Sequence, residues 1–276
     1  MIRSEKWKWL NIVIWLASVA SMIGLMILGG KVLKEDNVGL FIEFLVIAVV
    51  SLVYLYLISG KKTFTFLNNQ TGYTVKMLLP TLIFSSFFCL LGVLALFFEK
   101  PSLQQNWLLN LLFSAANMFL VGVYEEACFR ACACDALLPV LKKLKHPFLL
   151  TAVISGLVFG YVHVVSVDFS DIQQVLQFFL KILNTGLYGG TMMILYWKTR
   201  NLLGLAIIHG LNDFIPDFLN QIFLFENSSD SGSYTSGDVS STVVYVIQLV
   251  VQLAIFLYVY KKVAKTIDYQ KILEEW

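Results

Sequence analysis

Charge is the first thing this chain lacks. Only 14% of its 276 residues are Asp, Glu, Lys or Arg, while 58% are hydrophobic and the mean hydropathy is +0.75. A soluble domain carries roughly 25% charged residues, so a water-soluble globule is excluded. The formal net charge of +2 shows no nucleic-acid signature, and no nucleic-acid partner is expected. Cysteine is scarce as well. All four, Cys89, Cys128, Cys132 and Cys134, fall within apolar runs, and none has the spacing of a loop zinc site or a secreted disulfide framework. They read as small polarizable packing residues. No A-x-A-like cleavage site follows the first apolar run, which at about 20 residues is too long for a signal-peptide core; it reads as a retained first span.

What the chain does have is apolar blocks of about 20 residues, the length that crosses a hydrocarbon core of roughly 30 Å. Eight spans are predicted, at 9–30, 39–59, 77–98, 107–141, 148–167, 175–197, 202–225 and 243–260. The fourth would measure roughly 50 Å as one helix, so it must tilt, kink or protrude. Gly186, Gly189 and Gly190 in the sixth suit close helix approach. Segment 63–74 reads as an interfacial loop, and the Ser/Gly/Asp-rich segment 227–242 reads as flexible. With the N-terminus inside, only Lys31, Lys34 and Lys100 fall in outer loops, while most of the 20 basic residues lie on the cytoplasmic side. The expected fold class is therefore all-α: a polytopic membrane protein of about eight transmembrane helices, one integral domain over 1–276, both termini cytoplasmic. The Lys-rich inner loops suit a multi-pass protein of a bacterial plasma membrane.

Polar residues inside such spans demand a reason. An ionisable group at the bilayer centre costs about 2.5–3.5 kcal/mol on insertion scales. Yet Glu125, Glu126 and Arg130 stand within six residues of one another in span four. Glu126 and Arg130 are four apart and can pair on one helix face. Glu125 points about 100° away and needs a partner from another span. A desolvated carboxylate of this kind is what a general base requires. Two of the three histidines also lie in spans. His163 shares a face of span five with Phe159. In span seven His209 and Asp213 are four apart, with Asn212 beside them, and a carboxylate so placed can orient an imidazole. A structural ion pair with one protonated carboxyl as helix glue is the plain alternative for the glutamates, and an interhelical hydrogen bond is the plain one for a lone histidine.

Taken together, Glu125-Glu126-x-x-x-Arg130, Phe159-x-x-x-His163 and His209-x-x-x-Asp213 resemble the three signature motifs of the CPBP family, the CAAX protease and bacteriocin-processing (Abi) intramembrane proteases. The resemblance covers a core of about 107–225. Ala131 stands where many members have Gly, a change that affects packing more than chemistry. The resemblance implies peptide-bond hydrolysis at the membrane. Glu125 would activate water with help from His163, Glu126 and Arg130 would form the supporting pair, and His209 and Asp213 would sit near the scissile carbonyl. Phe159 and Asn212 would contact substrate. An ionised Asp213 cannot donate to an oxyanion, so it would be protonated or orient His209; alternatively Asn212 would donate. No cofactor is assigned. Two histidines and a glutamate, Glu125, His163 and His209, could hold zinc, although the spacing is not H-E-x-x-H; a metal-free glutamate mechanism is the preferred expectation.

The expected partners are the lipid bilayer and a peptide or membrane-anchored protein substrate, such as a bacteriocin, a pheromone or a leader sequence. A second reading, from a different class, is a non-catalytic scaffold that binds a sensor kinase, a cell-wall enzyme or a bacteriocin in an immunity-type role. A proton-coupled transporter using Lys181 and the carboxylates lacks any sign of inverted repeats.

Overall fold

The computed structural model describes residues 5–33, 36–60, 63, 68–164, 167–225 and 235–274. It is all-α and polytopic. Among the described residues seven helices are long and apolar enough to cross a membrane. They include α1 (Glu5–Val32), α2 (Asn37–Ser59), α3 (Thr71–Glu99), α7 (Ile172–Thr199), α8 (Leu202–Asp217, extended by one turn of 3-10 helix) and α9 (Val239–Val263). The seventh joins α4 (Trp107–Glu126) to α5 (Ala133–Leu141) through one π turn, Ala127–Cys132. A short α10 (Tyr269–Glu274) follows the last span. Residues 64–67 and 227–234, parts of the segments read above as an interfacial and a flexible loop, lie outside the described residues, as do the basic residues Arg3, Lys34, Lys61 and Lys62.

The predicted fifth span is shorter than expected. Helix α6 (Pro147–Val162) has 16 residues, about 24 Å, and stops before the predicted end at 167. Its last turn explains the stop. The ring Nδ1 of His163 lies 2.7 Å from the Phe159 carbonyl, while the backbone N–H of His163 bonds to Gly160 instead, at 3.3 Å. A side chain has taken the acceptor that the next helical turn would have used.

The chain forms two compact units, Met1–Ala136 with Thr199–Asn227, and Leu137–Lys198 with Ser228–Trp276. In the first unit α4 packs on α8 with little between the backbones. A Cβ at Gly122 would lie 2.3 Å from the Ala206 carbonyl oxygen, and one at Gly210 would lie 2.6 Å from that of Met118. The two helices therefore run antiparallel in contact, glycine meeting backbone, as membrane helices do when small residues line their interface. The entry into α8 is fixed separately. Asn201 caps it, its side chain accepting from the Gly204 N–H at 2.6 Å and donating to Asn68 and Thr71. Just before it Arg200 takes a left-handed φ of 50° and pairs with the buried Asp135 of α5 at 2.8 Å, to which Ser59 of α2 also donates. A two-residue ladder, Ser102–Leu103 against Phe223–Leu224, runs antiparallel before α4 and after α8.

The second unit repeats the small-residue logic. Gly156 of α6 meets Gly186 of α7, where an added Cβ would stand 3.2 Å from the Gly186 carbonyl oxygen. This is the close approach expected for the Gly186 cluster. A polar seam joins α7 to α9: Gln177 donates to Asp238 and Thr242, and Asn184 donates to the Tyr245 carbonyl.

Candidate active site

Helix α4 carries Glu125 and Glu126 on its final turn, and the π turn carries Arg130. In a π turn the N–H bonds back five residues instead of four, which inserts an extra residue and re-aims the side chains; such turns are common at functional sites. Here the Ala133 N–H reaches Cys128. The change of helix type falls at the charged motif.

Arg130 Nη2 stands 3.1 Å from Glu126 Oε1, and neither side chain is exposed. The predicted pair is present. The same carboxylate oxygen lies 2.6 Å from Nδ1 of His209 on α8. Glu125, which needed a partner from another span, meets the other ring nitrogen: His209 Nε2 is 3.2 Å from Glu125 Oε2 and 3.5 Å from Asp213 Oδ2. One imidazole therefore stands between three carboxylates. A neutral imidazole has a single N–H, so donation from both nitrogens takes one further proton, carried on the ring or on a carboxyl.

Burial divides the cluster in two. Arg130 and Glu126 are sealed at 0% side-chain exposure, His209 and Glu125 follow at 4% and 9%, and Asp213 reaches 41%. The Nδ1 side is an anchored support; the Nε2 side, with Glu125 and Asp213, leads outward.

Asn212 lies elsewhere on α8. Its amide nitrogen donates to Thr81 Oγ1 at 3.1 Å and its carbonyl accepts from Ser85 Oγ at 2.8 Å, both on α3. Sequence reasoning passed over Thr81 and Ser85, although two hydroxyls four apart in an apolar span are a legible signal of one polar face. Phe159 and His163 belong to the second unit, where their rings meet edge to face at 4.5 Å. Since the Phe159 carbonyl only accepts, His163 Nδ1 carries the proton, and the lone pair of the neutral ring resides on Nε2.

Zinc at Glu125, His163 and His209 finds no support. Among the described residues no group of three His, Cys, Asp or Glu side chains is disposed to hold a metal ion. Both ring nitrogens of His209 face carboxylate oxygens, so neither lone pair is presented to a cation.

Comparison with known families falls on this segment. Residues 106–215 match the type II CAAX prenyl endopeptidase, Rce1-like family. The Rce1-like segment is under half of the chain, yet it includes every motif residue from Glu125 to Asp213. The family is one of proteases, in agreement with the resemblance drawn from the three motifs. No curated protein and no solved structure matches the chain.

Proposed function

We propose that this protein is an intramembrane endopeptidase that hydrolyses a peptide bond of a membrane-associated or secreted peptide, with Glu125 as general base. One observation carries the reading: His209 is held at Nδ1 by the sealed Glu126–Arg130 pair, while its Nε2 and Glu125 sit on the more accessible side, next to the part-exposed Asp213. A structural ion pair alone would not require a second carboxylate and an imidazole nitrogen turned toward the part-exposed Asp213. The Rce1-like match over these residues supports the same reaction class.

In this mechanism Glu125 takes a proton from water as the water oxygen attacks the scissile carbonyl. His209 Nε2–H donates to the oxyanion that forms, a role that preorganised donors in a dry site perform well. The tetrahedral species collapses as the C–N bond breaks, and the proton held by Glu125 passes to the leaving amine. Glu126 fixes the His209 ring, and Arg130 pairs with Glu126 within the apolar interior. Asp213 holds Nε2 in its protonated form. Asn212, tied to α3, positions α8. The site belongs to a multi-pass protein, which we place in a bacterial plasma membrane with both termini inside.

The test compares wild type with Glu125→Gln and His209→Ala at matched membrane levels, by mass spectrometry of small secreted and membrane peptides from a complemented deletion strain. A product seen with wild type and lost in both variants is expected. Wild-type peptide patterns and phenotype from both variants would overturn the catalytic reading and favour the scaffold.

A further inference from the structure

Helix α1 ends long before residue 106, where the family match begins, and nothing in that match assigns it a part. It nevertheless reaches the π turn. Trp7 and Trp9 are exposed, whereas Trp15 is buried at 2% exposure. Its indole N–H donates to the Cys128 carbonyl at 3.2 Å. One turn on, Ser18 Oγ lies 2.7 Å from the Trp15 carbonyl and 3.1 Å from Cys128 Sγ. A carbonyl only accepts, and a hydroxyl has one proton. Ser18 must therefore donate to Trp15 and receive from the Cys128 thiol.

The result is a closed ring: thiol to hydroxyl, hydroxyl to Trp15 carbonyl, and Trp15 indole back to the Cys128 carbonyl. That carbonyl is also the acceptor of the Ala133 N–H, the five-residue bond of the π turn. Its two lone pairs are thus both used, one by the π turn itself and one by α1. In apolar surroundings no water is at hand to reach the second lone pair, and the Trp15 indole takes that place.

We propose that Trp15 and Ser18 are positioning residues that hold the π turn, and through it the orientation of Glu125, Glu126 and Arg130. Cys128 is the point of attachment and takes no part in chemistry. The structural claim stands by itself; its catalytic consequence rests on the protease reading.

The experiment uses the full-length protein in lipid nanodiscs and two readouts on wild type, Trp15→Phe, Ser18→Ala and a lipid-facing control, Leu16→Ala. Trp15→Phe keeps an aromatic ring and removes the N–H; Ser18→Ala serves if that variant fails to accumulate. The first readout is the rate of N-ethylmaleimide labelling at Cys128, resolved by mass spectrometry from that at Cys132 and Cys134. A several-fold rise at Cys128 alone is expected for Trp15→Phe and Ser18→Ala, with Leu16→Ala like wild type. Labelling at the wild-type rate in both variants would overturn the proposal. The second readout is hydrolysis of a quenched-fluorescent farnesylated peptide ending in a CAAX sequence, with any product peptide found above as a second probe. A fall in kcat of about tenfold with KM nearly unchanged and an unchanged thermal midpoint is expected. Raised labelling with unaltered kcat would remove the link to positioning. A wild-type protein that cleaves no peptide would count against the protease reading, while the labelling result would still decide the role of α1.

Discussion

Glu126 and His209 stand 83 residues apart in the chain and 2.6 Å apart in space. That contact joins the first motif to the third across the α4–α8 interface. It also means that Glu126 serves two partners at one oxygen, Arg130 at 3.1 Å and His209 at 2.6 Å, and most of the consequences below follow from this sharing.

Removal of Arg130 leaves Glu126 as a buried carboxylate without its guanidinium. Breaking a buried pair this way costs about 3–5 kcal/mol. Arg130→Ala is expected to lower the unfolding midpoint in detergent strongly, and Arg130→Lys only in part, because a point charge cannot reproduce the guanidinium fork. A shift for Arg130→Ala no larger than that of a surface substitution would show that the pair is not structural.

Glycine at 122 is a requirement of the helix interface. Its missing Cβ would fall 2.3 Å from the Ala206 carbonyl oxygen, and backbone cannot yield as a flexible side chain can. Gly122→Ala is expected to part α4 from α8, stretch the Glu126–His209 contact, and lower peptide hydrolysis at least tenfold. Gly24→Ala, where a Cβ would meet nothing within 4 Å, provides the control. Equal activity of the two variants would refute the argument.

Arg200 has two jobs with opposite requirements. Its guanidinium pairs with buried Asp135, while its φ of 50° suits glycine. Arg200→Ala loses the pair and keeps the strain; Arg200→Gly loses the pair and relieves it. A left-handed residue with a Cβ costs roughly 1–2 kcal/mol, partly offset by the entropy of glycine. Thermal unfolding should therefore rank wild type above Arg200→Gly, and Arg200→Gly above Arg200→Ala, the latter two separated by about 1 kcal/mol. The reverse order of the two variants would deny any strain at this position.

Chelation distinguishes the glutamate mechanism from a zinc mechanism. Both nitrogens of His209 are turned to carboxylates, so hydrolysis is expected to persist in 1,10-phenanthroline. Activity lost to the chelator and regained with added zinc would establish the opposite, and would require His209 to turn away from Glu126.

Much of this protein was determined by sequence alone. A membrane span excludes charge unless something compensates it, so Glu125, Glu126, Arg130, His209 and Asp213 stood out by the energy of placing them there. Spacings of four on a helix were enough to pair Glu126 with Arg130 and His209 with Asp213. The all-α class and the over-long fourth span followed from length against bilayer thickness.

What the tertiary structure decided was everything that depends on which faces meet. Asn212 and Asp213 are neighbours about 100° apart on α8, and no local rule says that the first turns to Thr81 and Ser85 while the second turns to the site. The end of α6 at Val162 depends on a side chain competing for one carbonyl, in a run that hydropathy reads as continuous. The π turn at Ala127–Cys132 is likewise invisible locally: its extra residue is held in part by an indole more than a hundred positions earlier. Such features arise because buried backbone groups must find partners wherever the packed helices provide them, and those partners are set by contact in space, not by order along the chain.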